Sequence, residues 1–260
     1  MCTCFVYRKE KILIGMNFDN DRKDFKVSGD QGQDFLVSVN VGNVFFPSFG
    51  INRNGIFVND LMVDSNGAGK YKRQNDKRWV TTSLIKSIME IPMNFDEVKN
   101  VLQRVEIVNA PHASTHNLIV DRYGNTCVVE PGRKNIFTQP SDSNWYIMTN
   151  FPLSDYDEIV PSNASGSGSD RFLEVFNMMP RLGNQMSVEQ GFEILKSVKQ
   201  DGPVWKTELS LIYDGTNQEL FYCLDQNFDA ILKYDFGSQK TIYKRYSSSE
   251  MGQPPCPPNT

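Results

Sequence analysis

Histidine is nearly absent. The 260-residue chain has two, His112 and His116, too few for a histidine-rich metal centre. Cysteine is sparse as well. Cys2, Cys4, Cys127, Cys223 and Cys256 form an odd, scattered set, which argues against a disulfide framework and fits free thiols in a reducing compartment. Cys2-Thr3-Cys4 has no second close cysteine pair to complete a zinc site, so no metal is expected. Neither charge dominates: 27 basic residues face 31 acidic ones, for a net charge of -4. That leaves no global basic field to concentrate nucleic acid or anionic membrane. No apolar run approaches the roughly eighteen residues of a membrane span. Arg8, Lys9, Glu10 and Lys11 interrupt the N-terminal segment before an export signal's apolar region can form. The expectation is a soluble, cytoplasmic protein without nucleic-acid or membrane partners.

What is there is enough chain to bury one substantial core, and no linker divides residues 1–246. Residues 2–7 and 12–17 read as short strands joined by a charged turn, and 35–41, 44–50 and 55–63 as further strands, with a tight turn at Asn54-Gly55. Residues 19–34 and 65–78 are polar and glycine-bearing, hence loops. Apolar spacing of three and four predicts helices over 79–91, ended by Pro92, and over 96–105. Strands return at 116–121, 126–131 and 145–149. After the Ser/Gly run 163–169 come helices over 169–179 and 188–199, the second opened by a Ser187/Gln190 capping box. Strands over 208–214, 219–224 and 230–234 follow. The Pro/Ser-rich residues 247–260 are expected to be a disordered or loosely docked tail. This order is α+β, not the regular alternation of a parallel sheet. It suits two antiparallel sheets with helices outside, although pattern alone does not choose that over other α+β arrangements.

Position 2 carries the chemistry. Cysteine is small enough there for methionine aminopeptidase to remove Met1, and the new first residue then carries a thiol and a free α-amine. With the amine near about 8 and the thiol near about 8.5, the amine can take the thiol proton directly or through one water. No histidine is required. The plainer alternative is a small buried residue at a strand start.

Cys2-Thr3 followed by Gly15-Met16-Asn17-Phe18-Asp19 resembles the opening of the choloylglycine hydrolase family, which includes conjugated bile salt hydrolases and penicillin V acylases. Further blocks resemble that family in its own order. They are Gly50-Ile51-Asn52-Arg53-Asn54-Gly55-Ile56, the strand pair His116 to Asp121 and Val128-Val129-Glu130, then Met148-Thr149-Asn150-Phe151-Pro152 and Ser169-Asp170-Arg171-Phe172. The likeness runs from Cys2 to about Tyr234. It implies the four-layer αββα sandwich of N-terminal-nucleophile (Ntn) hydrolases and cleavage of non-peptide linear amides through a thioester on Cys2. It further implies Asp19 as the orienting carboxylate, Asn150 as the oxyanion amide and Arg171 as the cation that favours thiolate. A backbone N–H near Met62 is the second oxyanion donor, or one at Asn59 under a shifted alignment. No cofactor or metal is implied, and the partner is a small-molecule amide.

Two departures qualify the likeness. Met16 stands where the family has an arginine beside the nucleophile, which points away from bile salts and toward penicillin V or other N-acyl amides. The connection from Asn150 to Arg171 is short, so a monomer or small homo-oligomer is expected and a tetramer is not. Candidate substrate contacts are Met16, Phe18, Phe57, Asn59, Trp79 and Phe151, the aromatics being core residues on the plainer reading. Two other functions fit the same residues: an acyltransferase passing the acyl group to an amine, and a silent homologue binding an acylated metabolite.

Overall fold

The N-terminal apolar stretches form β1 (Thr3–Arg8) and β2 (Ile12–Asn20), buried along their whole length and paired antiparallel. This is seen in a computed structural model that describes residues 1–29 and 34–236 and the backbone of 242–244. Strands β3 (Phe25–Ser28), β4 (Phe35–Val41), β5 (Val44–Ile51), β6 (Phe57–Asn59) and β7 (Leu61–Met62) follow. Next come β8 (Arg78–Val80), α1 (Thr81–Glu90), α2 (Phe95–Leu102), β9 (Glu106–Val108), β10 (Thr115–Val120), β11 (Thr126–Val129), β12 (Ile136–Thr138) and β13 (Trp145–Met148). The chain continues through α3 (Ser169–Met178), α4 (Val188–Ser197), β14 (Lys206–Asp214), β15 (Glu219–Leu224), β16 (Leu232–Lys233) and β17 (Ile242–Lys244).

Two antiparallel sheets result. One runs β13-β1-β2-β14-β15-β16, and the other β12-β11-β10-β6-β5-β4-β3-β17, with β7 also paired to β10. They face each other through aromatic side chains: Phe18 of β2 lies 5.5 Å from Phe25 and 5.3 Å from Phe49 across the interface. Helices cover the outer faces. Leu84, Ile85 and Ile88 of α1 and Val98 of α2 pack on Val58, Ile119, Cys127 and Val129 of the second sheet. On the other side α4 packs against β2 and β14, and the Asn17 side chain donates to Leu195 O at 2.8 Å. The molecule is therefore the αββα sandwich expected from the sequence. The Ser187/Gln190 capping box is present.

Some local expectations are corrected. The helical spacing over 79–91 includes Trp79, but Trp79 and Val80 pair parallel with Ile107 and Val108, and the helix begins only at Thr81. Aromatic and β-branched residues favour the extended form. The strand expected over 55–63 breaks at Asp60, whose carboxylate accepts from Asn117 Nδ2 at 3.2 Å while the same amide donates to Asn59 O at 2.7 Å. The polar stretch 19–34 holds the end of β2 and all of β3. Residues 247–260, with Cys256, lie outside the described residues. Among the described residues no helix is long and apolar enough to cross a membrane, and no group of three His, Cys, Asp or Glu side chains is placed to hold a metal.

Candidate active site

Strand register brings the distant candidates together. Cys4 pairs with Met148, so extending that register two residues sets Cys2 opposite Asn150. Asp19, the penultimate residue of β2, lies beside the chain start and pairs with Thr207 of β14. The Cys2 Sγ lies 3.4 Å from Asp19 N and 3.7 Å from Asp19 O. Asp19 Oδ1 accepts from Thr207 Oγ1 at 2.6 Å, and its Oδ2 lies 3.8 Å from Arg171 Nη1. The Met1 amine reaches Asp19 O at 3.5 Å, and Met1 Sδ accepts from Ser167 Oγ at 2.8 Å.

Arg171 is buried and binds the site's framework. Its Nη1 donates to Cys2 O and Thr3 Oγ1, both at 2.7 Å, and its Nη2 donates to Asn150 Oδ1 at 2.7 Å. Its hydrogen bonds thus go to the Cys2 backbone, the Thr3 hydroxyl and the Asn150 side chain, while its charge acts on the Cys2 thiol through space. Gly168 makes room for it. At φ 78° this residue is in the left-handed region, and a Cβ there would stand 2.5 Å from Arg171 Nη2 and 3.0 Å from Thr149 Cβ.

The Arg171 bond fixes which way the Asn150 amide points, because a guanidinium only donates and must face oxygen. The amide nitrogen then donates to Met62 O at 2.6 Å, and Asp64 N donates to Asn150 O at 3.0 Å. On its other edge this segment bonds the residue just before β10, through Val63 N to Ser114 O. In an extended strand the N–H and C=O of one residue point the same way, so the Met62 N–H faces Asn150. Among the described residues nothing takes the second Asn150 N–H.

Burial dominates the electrostatics. It pushes the Cys2 thiol up, opposed by the nearby amine, by the Asp19 amide and by Arg171. Burial raises the Asp19 carboxyl to about 7 against the amine, the Thr207 hydrogen bond and Arg171. The Met1 amine is lowered, again chiefly by burial. It lies one residue upstream of the amine that removal of Met1 would create.

The other candidates divide. Met16 is fully buried, with Asn59 Nδ2 at 4.0 Å from its sulfur. The Asn59 side chain is otherwise engaged by Leu118 N at 2.9 Å, so it braces β10. Phe18 and Phe57 lie in the core cluster that includes Cys2, as does Phe151, which stacks edge-on with Tyr156 and Phe172. Trp79 packs instead on the cluster between the second sheet and α1, apart from these residues. Thr3, Thr207 and Ser167 touch the site and were not singled out from sequence. Thr207 is the second residue of β14, and nothing in its local sequence marks it as a partner of Asp19.

The fold and this convergence at the chain start define the Ntn-hydrolase class. A profile of the choloylglycine hydrolase family of linear amide C-N hydrolases matches residues 34–165, and the chain belongs to that family. It is accordingly a hydrolase of carbon–nitrogen bonds in linear amides. The sequence finds no match among curated proteins. Among solved structures, a mutant of the conjugated bile acid hydrolase from Clostridium perfringens superposes with a TM-score of 0.68 at 15% identity, over 95% of this chain and 97% of that one. Penicillin V acylase from Agrobacterium tumefaciens gives 0.61 at 17% identity, over 92% of each. The Caenorhabditis elegans ortholog of N-acylethanolamine-hydrolyzing acid amidase gives 0.57 at 13%, over 93% of this chain and 99% of that one. At these identities the structures are similar in fold.

Proposed function

We propose that this protein hydrolyses an N-acyl amide through Cys2, made N-terminal by removal of Met1. The observation that carries the reading is the Arg171 clamp, which ties the Cys2 carbonyl and the Asn150 amide to one buried group. Such a clamp holds nucleophile and oxyanion donor at fixed separation before substrate arrives.

The α-amine of Cys2 takes the thiol proton, and the sulfur attacks the amide carbon. Negative charge on the former carbonyl oxygen is met by the free N–H of Asn150 and the backbone N–H of Met62. The C–N bond then breaks as the ammonium returns its proton to the leaving amine, leaving a thioester. Water, deprotonated by the same amine, attacks the thioester and releases the acid and the thiol. Asp19 orients the amine and sulfur, held by Thr207 and faced by Arg171.

Met16, apolar and wholly buried beside β1, favours an apolar acyl group such as a phenoxyacetyl or fatty-acyl chain over a bile acid. The cytoplasm is the proposed compartment, given the free cysteines. The protein is proposed to act as a monomer or small oligomer. Intact mass tests the first requirement and product analysis with an added amine tests the second. Loss of Met1 and formation of free acid support hydrolysis. Accumulation of the acylated amine would make the enzyme an acyltransferase, and ligand binding without turnover would make it a silent homologue.

A further inference from the structure

The one buried histidine lies outside the catalytic set. His116 Nε2 is 2.9 Å from Thr149 O, and Nδ1 is 3.1 Å from Glu130 Oε1. Both side chains are sealed, at 0% and 1% exposure. Glu130 also receives Leu153 N–H at 2.7 Å on Oε1 and Ser154 N–H at 2.9 Å on Oε2. A peptide carbonyl accepts only, and so does an ionised carboxylate, the form that the Leu153 and Ser154 amides favour in Glu130. Each ring nitrogen therefore needs a proton.

We propose that His116 is a buried imidazolium which, paired with ionised Glu130, locks residues 149–154 and so aims the Asn150 amide. It is a positioning pair: Thr149 immediately precedes Asn150, and Leu153 and Ser154 follow it. The backbone of His116 pairs with Leu61 of β7, next to Met62, whose carbonyl holds Asn150 from the other side. One residue thus ties both oxyanion donors together.

The charged surroundings agree. Burial pushes the Glu130 carboxyl up, but the His116 hydrogen bond and charge, with the Ser154 and Leu153 amides, outweigh it and hold the group at about 2. Asp60, at the junction of β6 and β7, also feels His116; burial raises it to about 7 against hydrogen bonds from Thr115, Thr81 and Asn117. Arg133 and Tyr146 interact electrostatically with Glu130 from the far side.

With two histidines in the chain, a long-range 1H–15N spectrum of the labelled protein contains two imidazoles, and a His112→Gln variant assigns them. At about pH 8 both nitrogens of His116 are expected to carry protons. Glu130→Gln should lower kcat by about tenfold or more through misplacement of Asn150, leaving Cys2 alkylation within about twofold. His116→Gln, which keeps a donor for Thr149 but no charge, is the second variant should the first not fold. A singly protonated His116 at about pH 8 overturns the proposal, as does a folded Glu130→Gln protein with kcat within about twofold of native. Because the positioning role rests on Asn150 as oxyanion donor, Asn150→Ala is assayed alongside. Loss there without loss in Glu130→Gln removes the positioning role alone, whereas no loss in Asn150→Ala removes the oxyanion assignment and leaves the spectrum to judge the ion pair.

Discussion

Replacing Asn150 with alanine removes two contacts and one unused donor: the acceptor for Arg171 Nη2, the donor to Met62 O, and the second N–H that no described residue takes. The first two are structural. The first leaves the buried Arg171 guanidinium short of a partner at about 1 to 3 kcal/mol and the second frees the partly exposed Met62 carbonyl at about 1 kcal/mol, so stability should fall by about 2 to 4 kcal/mol. The third is the oxyanion donor of the proposed mechanism. It meets charge that appears only after attack, so its loss should lower kcat by about a hundredfold to a thousandfold, or about 3 to 4 kcal/mol of barrier. The thiol itself is untouched, and alkylation of Cys2 by iodoacetamide should change little. The two effects separate by experiment: urea unfolding reads the first, steady-state turnover of an acyl amide the second, and peptide mapping after a brief alkylation pulse checks the thiol. Asn150→Asp sharpens the test, because it keeps the oxygen for Arg171 and replaces the donor with an acceptor. A folded Asn150→Ala protein keeping more than about half of the native kcat would refute the reasoning.

Gly168→Ala should cost both stability and activity, since the new Cβ meets Arg171 Nη2 and the backbone is left-handed there; thermal unfolding and kcat should fall together, and an unchanged kcat contradicts the packing argument. Asp19, raised to about 7 from an unfolded value near about 4, keeps its proton in the native state across that window, so native stability falls as pH rises through it. Asp19→Asn, which does not ionise, should gain on the native protein between about pH 4 and 7 by a few kcal/mol and level off above, while losing turnover. A difference constant with pH in urea unfolding contradicts the burial account. Phenoxyacetyl or fatty-acyl amides should show higher kcat/KM than glycine- or taurine-conjugated bile salts, and a preferred bile salt would show that Met16 does not govern the acyl group.

The large elements were legible because their signals are local. Asn54-Gly55 turns the chain between β5 and β6, with Gly55 at φ 78°, and Ser187 and Gln190 cap α4 reciprocally. Short strands were not. Phe25–Ser28 sits in a polar stretch and becomes β3 through pairing with β4 and β17, and Ile136–Thr138 is ordered as β12 by pairing with β11. Trp79 was misread because a helical spacing continued through it, while the parallel partner, Ile107, lies 28 residues on. For the site, Cys2, Asp19, Asn150 and Arg171 were readable as types in a family order. Their couplings were not, since the Arg171 bonds to Cys2 O and Asn150 Oδ1 depend on how three separate strand ends and a helix start meet. His116 and Glu130 appeared only as members of a strand pair, because facing each other across β10 and β11 leaves no local mark.

The central claim is that acyl transfer passes through the sulfur of an N-terminal Cys2. Its most direct test is rapid-quench mass spectrometry of the protein during turnover of a slow acyl amide. The account predicts an N-terminal peptide beginning at Cys2, heavier by the substrate's acyl group, with the added mass released by hydroxylamine as expected of a thioester. Fully active protein that retains Met1, or an acyl group found on any residue other than Cys2, would contradict it.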